Sequence, residues 1–505
     1  MPDNLFTKLS DQYSNRIYQI TLGTSLFILL ALLTYRILLL FTYNGEIGGI
    51  DNNFVYAVIR GMAGFSIYPD PSAIPYAINP YSPLYINLCV FTGNTLQLNT
   101  EDPITIYRLC RTVSLICDIT TILLFFRIIQ KTTCLKKEFT FLATSIFACL
   151  LCYLGYTFSR ADSLFLLVYA LIFYVLLTGS IKKNILSIII LAFLTTACIF
   201  SKQNGIILPL LISVWLLIND TKKNLLLYIG LSILFFAGSF FLYKGISGNH
   251  FFTSHTIDAL RNKIDLSWFY VYLFKRFSDS LILLPIYIAV IISFIQIRKG
   301  VGSAKALSWI FIIQTAFSLG TSLKFGASAG YFNESFFLGL LLINHYYSTL
   351  SSTFKNQYSG KLLSWFLPLF VLFTVHVCAQ GYLFFLQNQK EKKEIYQNQL
   401  SIGNYLKPKL ENNYILNLGN QNGDFFKTIF FKEAVVPNYD AVSCCTLPDK
   451  IFDYSSLVND LQNGKIKYLL MNEQDMLTDL WGISLQNFKS DTLINGHVIL
   501  KFMKP

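Results

Sequence analysis

The stretch Gly45–Tyr85, GEIGGIDNNFVYAVIRGMAGFSIYPDPSAIPYAINPYSPLY, follows an apolar run from about Ile20 to Phe41 and breaks it with glycine, asparagine, acid and repeated proline. A helix of about 20 apolar residues, rising 1.5 Å each, crosses the roughly 30 Å hydrocarbon layer of a bilayer. The quoted stretch therefore reads as the first loop on the far side of a membrane. Within it Phe54, Val55, Val58, Ile59 and Met62 recur at helical spacing behind Asp51, which predicts an amphipathic helix at the interface with Asp51 at its N-cap. A carboxylate there caps the helix and is held ionised by the helix's positive end. Glu46 is the competing acid of the same loop. Pro69, Pro71, Pro75, Pro80 and Pro83 exclude regular structure and predict a stiff re-entrant loop whose backbone is satisfied by protein or water.

The rest of the chain is built around that first crossing. Of 505 residues, 53% are hydrophobic and 13% charged, against about 25% charged in soluble proteins. The fold class read from this is a polytopic α-helical membrane protein. Apolar windows fall near residues 20–41, 105–129, 139–157, 162–180, 184–200, 205–219, 225–243, 280–297, 306–323, 332–349 and 361–386, about eleven transmembrane helices. The net charge of +12 is spread in short clusters between apolar runs rather than along one stripe, which argues for topology and against nucleic acid.

Lys131, Lys136 and Lys137, Lys182 and Lys183, Lys222 and Lys223, Arg298, Lys299 and Lys305, and Lys355 and Lys361 mark alternate loops as cytoplasmic. The N-terminal tail, 1–17, is then cytoplasmic, the outer loop is 42–104, and the membrane core extends over 18–387. Lys8, Arg16 and the length of the first apolar run predict an uncleaved anchor. The cysteines lie mostly in apolar runs without zinc-like spacing and read as small fillers. From Gln387 the composition turns polar, then alternates in NYILNLGN, KYLLMNE and GHVILKF, which predicts a small C-terminal extracytoplasmic α/β domain over 388–505.

Charged residues then gather on the outer face: Arg160 with Asp162, Lys202 with Gln203, and Lys324 with Glu334 around Gly326 and Gly330. Each alone reads first as a side chain snorkelling at a helix end, and recurrence on the face opposite the topogenic lysines weakens that reading. Arg36, Arg108, Arg111 and Asp118 cost about 2.5–3.5 kcal/mol each at mid-bilayer, so they are expected to face a cavity or, as with Arg111 and Asp118 two turns apart, each other. The loop from His250 to Asp279 adds His250, His255, Arg261, Lys263, Lys275 and Arg276, which reads as a solvated amphipathic helix. Cations with a few carboxylates suit a lipid-linked phosphosugar: arginine and lysine bind the phosphate and stabilise the charge left as the glycosidic bond breaks. A carboxylate removes the proton from the acceptor hydroxyl. Neutralised phosphate leaves without a second carboxyl acid, unlike the leaving group of a glycosidase.

The segments RILLLFTYNGEIGGIDNNFVYAVIRGMAGFSIYPDP, INPYSPLY, FSRADSLFLLVYALIFY, FSKQNGIILPLL and LKFGASAGYFNESFFLGLLL, in that order over roughly residues 30 to 350, resemble the GT-C superfamily of polyprenyl-phosphate-sugar glycosyltransferases. That superfamily includes the protein O-mannosyltransferases and the lipid A aminoarabinose transferases. The resemblance implies an inverting transferase, moving a hexosyl or pentosyl unit, with its site on the outer face and an acid of the first outer loop as catalytic base. It carries that base to Asp51, with Glu46 as substitute. Arg36, Arg160, Lys202 and Lys324 are the expected donor phosphate ligands, and Tyr56, Arg60, Asp162, Gln203 and Glu334 the expected cavity lining. Where many relatives have an acidic pair, Asp51 is followed by Asn52, so no metal ligands are assigned and a divalent cation stays an open question. The expected partners are a polyprenyl-phosphate sugar donor, a glycan, lipid or protein acceptor, and membrane lipids. The form of the resemblance points to a bacterial inner membrane. The alternative reading is a lipid-linked glycan or polysaccharide transporter, which would place ionisable residues at the midplane and on both sides of it.

Overall fold

The computed structural model describes residues 3–41, 51–135, 137–153, 160–179, 185–245, 248–260, 264–275, 282–327, 329–353, short pieces between 372 and 400, and 401–410, 413–418, 426–437, 452–471 and 485–503. Its N-terminal part is helical: α1 (Asp3–Leu40), α2 (Asp51–Met62), α3 (Pro83–Thr95), α4 (Pro103–Thr132), α5 (Lys137–Tyr153), α6 (Ala161–Thr178), α7 (Ile185–Ser201), α8 (Leu208–Asn219) and α9 (Lys222–Gly245). Two short helices follow, α10 (Phe252–Thr256) and α11 (Leu266–Trp268), and then α12 (Leu284–Lys299), α13 (Gly302–Ser322) and α14 (Asn333–Thr353). Every apolar window from 20–41 to 332–349 coincides with one of these helices, while 361–386 lies almost wholly outside the described residues.

Among the described residues four helices are long and apolar enough to cross a membrane: Gln19–Leu40, Pro103–Thr132, Ala161–Thr178 and Lys222–Gly245. The expected total of about eleven is thus not reached on length and hydropathy alone. The four differ in what covers them. α6 buries most of its length against α4 and α7, whereas α9 turns Leu226, Ile233, Leu234, Phe241 and Leu242 outward. A helix apolar on all sides is stable only inside protein or in lipid, and α6 and α9 illustrate the two cases.

α4 is the axis of the site. Asp102 caps it, accepting from the Thr105 N–H, and Pro103 stands at the first position where a missing N–H costs nothing. From there it packs against α6, α5, α2 and α3.

The loop helix α2 differs from expectation. Asp51 to Arg60 are all buried, under α3, α4 and a short helix of the C-terminal part, so α2 lies inside protein rather than along the membrane interface. The proline loop after it is irregular, as expected, and its polar groups are satisfied by protein. The Tyr68 hydroxyl donates to the Tyr81 carbonyl at 2.6 Å, and Asn79 Nδ2 donates to the Ile67 carbonyl at 3.2 Å. His255, from α10, accepts the Asn79 N–H at Nδ1 (2.8 Å) and donates from Nε2 to the Pro69 carbonyl (2.7 Å). That pattern requires the neutral ring, and burial pushes the His255 pKa down to about 4.

The C-terminal part carries β1 (Tyr414–Asn417), α15 (Phe426–Ile429), β2 (Ala434–Val435), α16 (Ser455–Gln462), β3 (Ile466–Met471), β4 (Phe488–Ile494) and β5 (His497–Phe502). The strands form one sheet in the order β2-β1-β3-β5-β4, with β2, β1 and β3 parallel and β5 and β4 antiparallel. Asn495 and Gly496, both at positive φ (49° and 79°), close the β4–β5 hairpin. The expected small α/β unit is present. It is joined to the outer loop by Tyr76, which buries its ring among Leu416, Leu418, Val435 and Leu457 and donates to Asp460 at 2.8 Å. Burial and that carboxylate raise the Tyr76 pKa. The Pro75 carbonyl accepts the Val436 N–H at 2.8 Å, and Glu101 bridges Lys407 (3.0 Å) and Lys432 (2.8 Å).

Candidate active site

Asp51 opens α2 with no exposed surface. Facing it at 4.0 Å is the guanidinium of Arg111, which also donates to the Leu39 carbonyl at the end of α1 (3.2 Å). One turn earlier on α4, Tyr107 donates to Asn52 Oδ1. Ser114 meets the Tyr85 hydroxyl at 2.9 Å and donates to the Arg160 carbonyl at 3.4 Å. Further down, Asp118 is paired with Arg36 and accepts from the Ser163 hydroxyl. Tyr107, Arg111, Ser114 and Asp118 are spaced four, three and four residues apart, the spacing that puts side chains on one face of a helix. α4 thus faces α2, the end of α1 and the start of α6 with one polar edge.

A second cluster lies where α7 turns into α8. Gly205 makes that turn: a Cβ there would come within 2.8 Å of the Cys198 carbonyl carbon and the Ile199 nitrogen. Lys202, at the turn, pairs with Asp162 in the first turn of α6, and its ammonium stands 4.9 Å from the centre of the Tyr331 ring. Burial works against the charge of Lys202, but Asp162, Glu334 and Tyr331 outweigh it and raise its pKa. Glu334 is buried beside this pair, and its Oε1 has no hydrogen-bond partner among the described residues. Gln203 donates to the Pro80 carbonyl at 2.6 Å and Ser82 donates to the Ile199 carbonyl at 3.1 Å, tying the outer loop to the turn. The two clusters join at the start of α6, where Arg160 is linked to Ser114 and lies beside Asp162.

The sequence candidates divide accordingly. Asp51 stands in the first cluster, and Arg36 is committed to Asp118 two turns further along the same edge of α4. Arg160, Asp162, Lys202, Gln203 and Glu334 form or border the second. Tyr56 and Arg60 make a group of their own further along α2, with the Arg60 guanidinium 5.7 Å from the Tyr56 ring centre and 5.1 Å from that of Phe65. Nine residues along a helix is about 13 Å, which separates Arg60 from Asp51. Lys324 lies in a turn whose backbone pairs with Ile264 and which passes through Gly326 at φ 76°. Glu46, Arg261, Lys263 and Arg276 lie outside the described residues.

Two expectations change. Arg111 and Asp118 do not pair with each other, because α1 and α2 each supply a nearer partner. His255 holds the loop in neutral form rather than adding a cation. The sequence also gave no notice of Lys427, buried on α15, which donates to Asn53 Oδ1 across 374 residues of chain. Among the described residues no group of three or more metal-ligating side chains occurs.

A helical core with an appended α/β unit is a fold that this chain shares over most of its length with solved structures. ArnT from Cupriavidus metallidurans bound to undecaprenyl phosphate matches with a TM-score of 0.57 and 12% identity, over 98% of this chain and 97% of its own. The archaeal oligosaccharyltransferase AglB from Archaeoglobus fulgidus, in complex with an inhibitory peptide and a dolichol-phosphate, matches with a TM-score of 0.54 and 12% identity, over 91% of this chain and 69% of its own. The same archaeal enzyme solved with Zn and sulfate matches with a TM-score of 0.54 and 12% identity, over 94% of this chain and 71% of its own. No family model and no curated protein matches the sequence.

Proposed function

We propose that this chain is an integral membrane glycosyltransferase that moves one sugar from a polyprenyl phosphate to an acceptor hydroxyl on the extracytoplasmic face, with inversion. The observation that carries the reading is the buried carboxylate of Asp51 at the head of α2, held against Arg111 and joined through the polar edge of α4 to Arg160, Asp162 and Lys202. Asp51 takes the acceptor's proton, the oxygen so freed attacks the anomeric carbon, and the bond to the lipid phosphate breaks from the opposite side. The departing phosphate carries the negative charge. Lys202 has three N–H donors and gives one to Asp162, which leaves others for phosphate; Arg160 and Lys324 are the further ligands assigned to it. Arg36 acts behind them through Asp118. Glu334 lines the substrate cavity.

Asp51, Asp162, Lys202 and Glu334 stand at helix ends, and Asp118, which lies mid-helix, is paired with Arg36, which supports transfer at a surface over a transport path. The C-terminal part touches the first outer loop through Tyr76 and Glu101, which supports both lying outside, with the N-terminus cytoplasmic. A bacterial inner membrane and a membrane core of about eleven spans complete the proposal.

The test is purification in mild detergent, mass spectrometry of any co-purified isoprenoid phosphate, and assay against defined polyprenyl-phosphate sugars. Asp51→Asn is expected to lose about 10²–10⁴-fold in turnover while keeping the lipid. Turnover at the wild-type rate in that variant would rule out the role of Asp51.

A further inference from the structure

The first turn of α2 carries three consecutive polar residues, and each is held by a different part of the chain. Arg111 faces Asp51 and Tyr107 bonds Asn52, both from α4. Asn53 receives the ammonium of Lys427, which comes from the C-terminal α/β unit. Lys427 is 1% exposed although it stands on a four-residue helix, Phe426–Ile429, whose neighbours Phe426, Phe430 and Phe431 are buried in the same apolar core as the long helices. A lysine is seldom buried without a specific partner, since its charge loses its hydration there unless hydrogen bonds replace the lost water. Asn53 in turn donates to the Tyr81 hydroxyl at 3.4 Å, and Phe54 stacks on the Tyr81 ring at 4.2 Å. Tyr81 lies between Pro80 and Ser82, the two residues bonded to the Lys202 turn. One line of contacts therefore runs from Lys427 through Asn53 and Tyr81 to the second cluster.

We propose that Lys427 is a positioning residue for the reaction: by fixing Asn53 it sets the rotation of the first turn of α2, and with it the direction of the Asp51 carboxylate. This rests on the reading of Asp51 as the base. The α/β unit is then part of the catalytic apparatus, through one buried ammonium, and not only a cover.

The experiment uses the full-length protein in detergent with two readouts. Hydrogen exchange of the α2 amides needs no substrate, and kcat and KM are measured with whichever undecaprenyl-phosphate sugar the wild type consumes. Lys427→Met is expected to raise α2 exchange about tenfold with α4 unchanged, and to cut kcat about 10²-fold with KM nearly constant. Lys427→Arg, which keeps the charge and the donors, is expected to restore most of both, and it decides the matter should the methionine variant fail to fold. Glu101→Gln, which removes only the exposed rim bridge, is expected to change either readout no more than about twofold. Wild-type α2 exchange or wild-type kcat in Lys427→Met overturns the proposal, as does a loss equal to that of Glu101→Gln. Should Asp51→Asn prove fully active, the function reading falls, while the α2 exchange still decides whether Lys427 fixes that turn.

Discussion

Arg36 and Asp118 face each other with exposures of 3% and 0%, so neither can be removed alone without leaving the other's charge in a dry interior. Asp118→Asn is expected to destabilise the protein by about 3–5 kcal/mol, read as a lowered melting temperature in detergent. Arg36→Met combined with Asp118→Leu is expected to recover much of that stability, because two apolar side chains of similar size replace a pair whose attraction only offsets its desolvation. Asp51→Asn leaves the buried Arg111 guanidinium facing a neutral amide, so it is expected to lower stability as well as to remove turnover, and turnover is read per folded protein. The sequence showed that these charges lie at membrane depth and must be answered. It did not show by what: Arg111 and Asp118 share a helix face two turns apart, and only the approach of α1 and α2 decides that each looks to a different neighbour.

The elements carry the constraints that single residues respond to. α10 matters for one ring, His255, whose neutral form closes the proline loop. Its folded pKa of about 4 lies below the roughly 6.5 of an unfolded histidine. The unfolded state therefore binds the extra proton first, and the stabilisation, complete above about pH 6.5, is lost as pH falls toward 4. Asp70 from the loop is the carboxylate that favours the charged ring, and burial outweighs it. Melting between pH 7.5 and 4.5 should fall more steeply for the wild type than for His255→Gln. The α7–α8 turn is constrained by space, since Gly205 presses on the last turn of α7. Gly205→Val is expected to displace Lys202 and lower turnover about 10²-fold, with a smaller effect on stability. The long helices were legible as apolar windows, whereas α3, inside the stretch read as outer loop, was not predicted. α2 was legible as a helix but not as a buried one, because an amphipathic pattern does not distinguish lipid headgroups from an overlying protein domain.

Across the whole molecule, the outer loop and the α/β unit form a joint. Tyr76→Ala is expected to remove a buried aromatic worth about 3–5 kcal/mol and to let the α/β unit melt at a lower temperature than the helical core, visible as a second calorimetric transition. Glu101→Gln tests the rim, and its exposed bridges to Lys407 and Lys432 are expected to contribute less than about 1 kcal/mol. The change in composition near Gln387 announced a separate unit, and alternating residues announced its strands. Nothing local announced that the unit reaches back to Asn53, since such a contact has no period and leaves no motif. That reach has a consequence for biosynthesis. A ribosome delivers α2 to the membrane hundreds of residues before Lys427, so a nascent chain could insert its helices and bind lipid while its working parts are still unset. On the proposal that Lys427 sets the first turn of α2, the site is complete only once the C-terminal unit has been made and folded.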